Sequence, residues 1–178
     1  MGARLTAAAL LGLMIATGAR AEVLPEEAVK AAYIPKFIPF ISWPDSVFTM
    51  PDAPVTICVV GTDPFGGKLE QAASEIRSGE HPIAVRYLEG LDASVSCQLV
   101  FLAKKNEAAA EEALDALKGK PVVTVTDSGL KTHGVISFLI EANHVRFDID
   151  DAAAAQGGLV ISSKLLGLAH AVKQRSQP

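Results

Sequence analysis

The chain has 178 residues, of which 16 are Lys or Arg and 20 are Asp or Glu, so its formal net charge at pH 7 is −4. Arg4 and Arg20 are the only charged residues among the first 21, so residues 22–178 retain 14 basic and 20 acidic residues, a net charge of −6. This length suffices for one domain with a single core, and the acidic balance argues against a nucleic-acid surface and against a basic membrane-binding face.

The first 21 residues have the three parts of a signal peptide in the expected order. Arg4 supplies a positive charge, residues 5–18 are uncharged and mostly apolar, and Ala19-Arg20-Ala21 places small residues where signal peptidase cleaves. The apolar run is shorter than the roughly 20 residues that a membrane-spanning helix needs. We therefore predict cleavage after Ala21, export from the cytoplasm, and one soluble domain over residues 22–178.

The sequence after this segment alternates helical and strand patterns. Pro25, followed by two acidic residues, predicts a helix start, and Pro35 and Pro39 predict that this helix is kinked or divided before Trp43. Four short apolar runs are typical of strands and lie at 55–60, 82–88, 97–103 and 121–126. Helices are predicted between them at 65–77 and 106–117, the second one capped by Asn106.

The last third of the sequence has a different pattern. Strands are predicted at 135–140 and 144–149, joined as an antiparallel hairpin by residues 141–143. A short helix at 152–155 and a final helix at 164–173 follow, with Ser162 or Ser163 as the cap of the last one. Four apolar residues share one face of that final helix: Leu165, Leu168, Ala169 and Val172.

These elements together predict an α/β fold. Continuous apolar strands separated by helices favour a mainly parallel sheet that is covered on both faces. We therefore predict a three-layer sandwich with a mixed, mainly parallel sheet, flanked by helices and extended by a C-terminal antiparallel hairpin.

The two cysteines, Cys58 and Cys97, have two interpretations. In an oxidising compartment an even pair favours a disulfide, which would close a loop of about 40 residues and stabilise the fold by roughly 4 kcal/mol. The alternative is two buried free thiols that pack as small apolar side chains.

The loop after the first strand resembles a phosphate-binding loop but does not match it. The motif G-x-x-x-x-G-K-[ST] would need glycine at Thr62 and a hydroxyl at Leu69, and Pro64 removes one of the amides that cradle phosphate. A strand-to-helix turn explains the glycines better. The loop could still line a ligand crevice at the end of the strand, and its candidate residues are Gly61, Asp63, Gly66 and Gly67.

No residue pattern indicates a metal site, a cofactor or a catalytic centre. The four histidines do not pair with each other or with a cysteine at ligand spacing. Ser162, Ser163 and Lys164 are too close in sequence for an S-x-x-K nucleophile, and helix capping explains the serines better. We therefore predict a protein that is not an enzyme.

Six segments in the right order resemble the YfiR family of small bacterial periplasmic proteins, which includes HmsC-type proteins. The resemblance rests on VKAAYIPKF with SWP (29–37, 42–44), ICVVGTDPF (57–65), CQLVFL (97–102), VVTVTD (122–127), GVISF (134–138), and VRFDI with ISSKLL (145–149, 161–166). Pro35 and Pro39 depart from the commoner Y-N-F-x-K-F form of the first segment.

The resemblance implies a regulatory function in the periplasm. Family members bind the periplasmic domain of an inner-membrane diguanylate cyclase and repress it, which lowers cyclic-di-GMP and biofilm formation. The resemblance also implies a homodimer, and it matches Cys58 and Cys97 to the family's cysteine pair. The further cysteines of some members are absent from this chain, so redox switching through a second bridge is not expected.

The partner surface is predicted on the last hairpin and the final helix, around Arg146, Asp148 and Lys164. Arg146 lies between two apolar residues of a strand, so it either pairs with a carboxylate of the fold or contacts a partner. The alternative function is a periplasmic small-molecule-binding module that acts on a sensor kinase or receptor through the crevice near Gly61.

Overall fold

A computed structural model of the chain describes residues 25–79, 81–91, 96–103 and 107–175. The predicted signal peptide and the predicted cap Asn106 lie outside these ranges. The helices within them are α1 (Glu26–Phe37), α2 (Lys68–Ser74), α3 (Glu107–Leu117), α4 (Asp151–Gln156) and α5 (Ser163–Leu166). The strands are β1 (Ile41–Ser42), β2 (Val55–Val60), β3 (Arg77–Ser78), β4 (His81–Leu88), β5 (Leu99–Leu102), β6 (Val123–Thr126), β7 (Ile136–Glu141), β8 (His144–Asp150), β9 (Val160–Ile161) and β10 (Val172–Lys173).

Eight strands form the main sheet in the order β10-β8-β7-β6-β5-β2-β4-β3. The five strands β4, β2, β5, β6 and β7 are parallel to one another, whereas β3 is antiparallel to β4, and β8 is antiparallel to β7 and forms the C-terminal hairpin. A separate two-stranded antiparallel sheet joins β1 to β9. The predicted α/β class, with a mainly parallel sheet and an antiparallel hairpin, is confirmed.

The sheet is covered on both faces at its centre, because alternate residues of each strand point to opposite sides. On one face, Ile57 and Val59 of β2 join the core cluster that also holds Ile34 of α1 and Leu69 of α2. On the other face, Cys58 joins a smaller cluster that includes residues of α3. The continuous apolar runs of β2 and β5 therefore supply both faces of a three-layer core.

The first helix includes Pro35 but ends just before Pro39. α1 continues through Pro35 to Phe37 and then passes into a single 3₁₀ turn, Ile38–Phe40, which contains Pro39. Because proline lacks an amide donor and crowds the preceding turn, the chain leaves the α-helix at this point. The predicted division of the helix before Trp43 is confirmed.

The cysteines form a disulfide in the structure. Cys58 lies in β2, Cys97 lies two residues before β5, and their Cα atoms are 5.9 Å apart. The start of β5 is also held by Gln98, whose side-chain oxygen accepts a hydrogen bond from the Thr56 amide at 2.7 Å. Trp43 donates its indole N–H to the Gln98 carbonyl at 3.2 Å, which ties the segment after α1 to the centre of the sheet.

Two predicted helices are shorter than expected. The helix expected at 65–77 begins only at Lys68, because Gly66 and Gly67 have left-handed backbone conformations with φ of 57° and 84°. The final helix ends at Leu166 instead of residue 173. Beyond it the chain runs as β10, with Val172 beside Ile149 of β8, so the predicted four-residue apolar face does not exist.

The hairpin connection is also tighter than predicted. Glu141 belongs to β7, and only Ala142 and Asn143 form the turn, with φ of 45° and 63°. Two consecutive positive φ values match the right-handed twist of the flanking strands in two-residue hairpins. The short helix that follows is capped by Asp150, whose side chain accepts a hydrogen bond from the Ala153 amide.

Candidate partner-binding face

The antiparallel hairpin of β7 and β8 is covered on one face by α1. Phe37 of α1 packs against Phe138 and Phe147 of the hairpin, with ring centroids 6.0 Å and 5.0 Å apart. Tyr33 adds an edge contact to Phe147 at 6.1 Å. These aromatic contacts define the inner face of the hairpin and leave the alternate residues of both strands on the outer face.

The outer face of the hairpin is polar and carries both signs of charge. Paired positions on this face are Ser137 with Asp148, Leu139 with Arg146 and Glu141 with His144. α3, which covers the same side of the sheet, packs over β2 and β5 and does not include hairpin residues in its cluster. The third layer therefore ends beside the hairpin. Ser137 is buried, and we call the surface formed by the remaining positions the outer hairpin face.

A chain of polar contacts crosses the outer hairpin face. His170 Nδ1 lies 3.0 Å from Asp148 Oδ1, and His170 Nε2 lies 3.6 Å from Glu141 Oε1. Arg146 Nε lies 3.9 Å from the other Glu141 oxygen, and both of these side chains are more than half exposed. The predicted residues Arg146 and Asp148 thus lie on one face, joined through Glu141 and His170.

An open groove runs between this face and α3. It consists of a cavity of about 500 Å³ and an adjoining cavity of about 450 Å³, which share four lining residues. The shared residues are His133, Gly134, Asp150 and Lys173. Lys173 donates to Asp150 at 2.8 Å, so this pair separates the two parts of the groove.

The loop that forms one side of the groove is held by hydrogen bonds from neighbouring elements. The Glu107 carboxylate at the start of α3 accepts from the amides of Lys131 and Thr132 at 2.7–3.1 Å. The Thr124 hydroxyl accepts from the Val135 amide at 2.9 Å, and a Cβ at Gly134 would lie 2.6 Å from the Thr124 carbonyl oxygen. Gly134 therefore permits a backbone approach that any other residue would block.

Lys164 does not belong to the outer hairpin face. It lies in α5, next to Leu165, whose buried side chain is part of the core cluster that contains Phe147. Phe147 points to the opposite side of β8 from Arg146 and Asp148, because side chains alternate along a strand. The structure therefore brings together two of the three predicted partner-binding residues and places the third in another layer.

The predicted crevice residues lie at the carboxyl end of β2. This end is the point where the order of the parallel strands reverses, since β4 and β5 flank β2 on opposite sides. The Asp63 carboxylate accepts hydrogen bonds from the amides of Phe65 and Gly66 at 2.7 and 3.0 Å. The amides that a phosphate would need are thus already bound to an acidic side chain, which disfavours an anionic ligand.

Near this loop, Tyr87 of β4 faces Glu70 of α2. Burial and a hydrogen bond to Glu70 raise the pKa of Tyr87 above its ordinary value. The phenol therefore stays neutral and acts as a hydrogen-bond donor beside two carboxylates, those of Glu70 and Asp63.

A buried charge cluster lies where α1 meets the loop after β6. Lys30, only 3% exposed, donates to Glu26, Asp127 and Ser128, the last at 2.8 Å. Sequence reasoning did not find this cluster. The sequence pattern that could have indicated it is a lysine among apolar helix residues together with an aspartate directly after a buried strand. Such charges are buried only when they are paired.

A model of the YfiR/HmsC-like family matches residues 27–170. The chain belongs to the YfiR/HmsC-like family. The match covers both faces described above, from α1 to the turn after α5, and a search of curated proteins gave no match. The motif residues Lys30, Trp43 and Asp127 make internal contacts here, so in this member of the YfiR/HmsC-like family they hold the scaffold together.

Two absences concern the described residues alone. Within those ranges, no group of three or more His, Cys, Asp or Glu side chains is arranged to hold a metal ion. Over the same part of the chain, no helix combines the length and the hydrophobicity needed to cross a bilayer.

Proposed function

We propose that this protein is a periplasmic regulator that binds the periplasmic domain of an inner-membrane diguanylate cyclase and represses it, so that cyclic-di-GMP signalling falls. The observation that carries this proposal is the YfiR/HmsC-like family match over residues 27–170. The N-terminal signal-peptide pattern supports a site of action outside the cytoplasm.

The outer hairpin face is the proposed docking surface for the cyclase domain. Its charged side chains include both signs, with Arg146 beside Glu141 and Asp148, and both Arg146 and Glu141 are more than half exposed. Mixed charge at a surface rim favours specific docking and raises the association rate, because only a partner with the complementary pattern is attracted in the right orientation. The neighbouring groove offers a concave surface that a loop or helix of the partner could enter.

Deletion of the gene and capture of the partner test the function itself. Cells without the protein should contain more cyclic-di-GMP, and the wild-type protein should recover a membrane diguanylate cyclase from solubilised membranes. Normal cyclic-di-GMP in the deletion strain, together with no cyclase in the recovered fraction, would exclude the proposal.

Two charge reversals test the docking surface. Arg146→Glu should weaken cyclase capture about tenfold or more, since a repulsive contact replaces an attractive one. Lys164→Glu makes the same change of net charge on another layer of the fold and should leave capture unchanged. Equal loss in both variants would show that overall charge, and not this face, controls binding.

A small-molecule-binding module remains the second candidate function. The groove supports it, because a volume of about 500 Å³ lies within the range of ligand pockets. The crevice around Gly61, Asp63, Gly66 and Gly67 is the other possible site. A specific metabolite should raise the melting temperature by mass action, and His133→Ala in the groove or Asp63→Ala in the crevice should abolish that rise at one site only.

A further inference from the structure

The chain after α5 returns along one edge of the main sheet. We call residues 168–175 the C-terminal strap, which includes β10 and pairs parallel with β8. Before β10, the His170 amide donates to the Phe147 carbonyl at 2.8 Å, and the Ala171 carbonyl accepts from the Ile149 amide at 2.9 Å. The strap therefore occupies the edge of β8 that is turned away from β7.

Little apolar burial attaches the C-terminal strap to the fold. Every residue from 168 to 175 is at least partly exposed, and Leu168 is 68% exposed. Segments with few buried apolar contacts open at a low free energy, whereas the core stays folded. We therefore expect the strap to separate from β8 more readily than any interior strand does.

Side-chain pairs between the strap and β8 or α4 supply most of the attachment. The strap sequence contains three basic residues and no Asp or Glu. Its basic residues meet, in the same order along both segments, three aspartates that lie within four consecutive positions. The pairs are His170 with Asp148 at 3.0 Å, Lys173 with Asp150 at 2.8 Å, and Arg175 with Asp151 at 2.6 Å. The edge under the strap is thus acidic, and its charge is complementary to a basic strand.

The last of these pairs requires an arginine. Two nitrogens of Arg175, one of them Nε, donate at 2.6 Å to different oxygens of the Asp151 carboxylate. The Asp151 side chain is only 4% exposed, so it is costly to leave without a cation. A guanidinium group fits this two-pronged geometry, whereas an ammonium group does not. A segment that replaces the strap must therefore supply an arginine at this position.

We propose that the C-terminal strap is an internal competitor, and that the β8 edge beneath it binds an extended basic segment of a partner protein, with an arginine for Asp151. The segment adds to the sheet as the strap does, through backbone hydrogen bonds to Phe147 and Ile149 and cations for the aspartates. When the strap leaves, Lys173 also leaves Asp150, so the two cavities of the groove become continuous. This inference does not depend on the proposed function.

A peptide with the sequence of the strap, LAHAVKQR, is the probe for this site. The receptor is the disulfide-bonded protein of residues 22–178. Because the strap competes from within the chain at an effective concentration in the millimolar range, the wild-type protein should bind the fluorescent peptide weakly. Arg175→Ala weakens the strap but leaves the acidic edge intact, and should lower the dissociation constant of the peptide about tenfold or more. A dissociation constant equal to that of the wild type, or no binding at all, would overturn the proposal.

A control variant separates this effect from a change of net charge. Lys36→Ala removes one positive charge from an exposed position of α1 and should leave the dissociation constant of the peptide unchanged. An equal gain in Lys36→Ala and Arg175→Ala would show that net charge controls the binding, which would exclude competition by the strap.

Breaking the same ion pair from its other end should give a different result. Asp151→Asn weakens the strap and the peptide alike, because both lose the partner of their arginine, so the dissociation constant should stay near the wild-type value. An ion pair that only fastened the C-terminus would give the same result in Asp151→Asn as in Arg175→Ala. If Asp151→Asn does not fold, the peptide supplies the test: an Arg175→Ala change in the peptide should remove the tenfold gain on the Arg175→Ala protein.

Amide exchange locates the bound peptide. At saturating peptide, the Ile149 amide of the Arg175→Ala protein should exchange about tenfold more slowly, because the peptide replaces the strap as its hydrogen-bond acceptor. A scrambled peptide of the same composition should bind more weakly and leave this exchange unchanged. Equal binding of the scrambled peptide, or tight binding without protection of Ile149, would exclude the β8 edge as the site.

Discussion

Lys30 and Asp127 lie 97 positions apart and form a buried ion pair between α1 and the loop after β6. Glu26 and Ser128 complete the set of partners of the ammonium group. Taking these charges out of water is costly, so the pair holds only as long as each charge keeps its partner.

Removal of one partner should therefore destabilise the fold strongly. We expect Lys30→Met to lower the free energy of unfolding by about 3–5 kcal/mol, because it leaves the Asp127 carboxylate buried without its cation. Urea unfolding measures this change. Lys36→Met, at an exposed lysine of the same helix, should change stability by less than about 0.5 kcal/mol.

A double-mutant cycle tests whether the two charges act as a pair. The double variant Lys30→Met, Asp127→Asn should lose at least about 1 kcal/mol less free energy of unfolding than the two single variants lose together. The reason is that neither charge is then left without its partner. Strictly additive losses would show that the two side chains contribute independently.

Loss of the disulfide should lower stability without changing the fold. The bridge joins residues 39 positions apart. The chain-entropy model gives about 4 kcal/mol for such a loop, and we therefore expect the double variant Cys58→Ala, Cys97→Ala to melt roughly 10 °C lower. Calorimetry with and without reductant measures this, and the variant should not respond to reductant. A reductant-sensitive variant would contradict the assignment.

The C-terminal segment should loosen when its ion pair with α4 is removed. Arg175 donates two hydrogen bonds of 2.6 Å to Asp151, whose side chain is only 4% exposed, and this carboxylate raises the pKa of Arg175. Arg175→Ala should speed amide exchange at Ile149, whose amide donates to the Ala171 carbonyl. Lys173→Ala removes an exposed ion pair and should speed amide exchange at Ile149 less than Arg175→Ala does. A larger increase in Lys173→Ala than in Arg175→Ala would refute this account.

The hairpin turn should accept glycine at Ala142. The φ of 45° is unfavourable for an alanine, and we expect Ala142→Gly to stabilise the protein by about 0.5–1 kcal/mol. Asn143→Ala, at a position where asparagine tolerates the left-handed conformation, should destabilise it. Thermal melts compare the two variants, and a destabilising Ala142→Gly would argue against the two-residue turn.

Much of the fold was predictable because its signals are local. The apolar runs of β2 and β5, Pro39 at the end of α1 and the capping residue Asp150 each act within a few residues of their position. The end of the final helix was not predictable in this way. Its apolar spacing suits a helix to Val172, but the chain after Leu166 gains backbone hydrogen bonds along the edge of β8 instead.

The candidate site was predictable only in part, because some of its contacts join residues that are far apart in the chain. Arg146 and Asp148 lie two residues apart on one strand, so their shared face follows from the strand period alone. Their contacts with Glu141 and His170 depend on the hairpin register and on the return of the chain after α5. Lys164 was grouped with them because the final helix follows the hairpin in the sequence, yet α5 packs on the opposite face of the sheet.

By itself the sequence predicted most of the elements, the family resemblance and an exported location, because composition and spacing act over short distances. The tertiary structure alone decided that Lys30 meets Asp127 and that a groove lies between the outer hairpin face and α3. These relationships depend on the order in which strands are placed side by side. That order is set by the packing of the whole core and by hydrogen bonds between residues far apart in the chain.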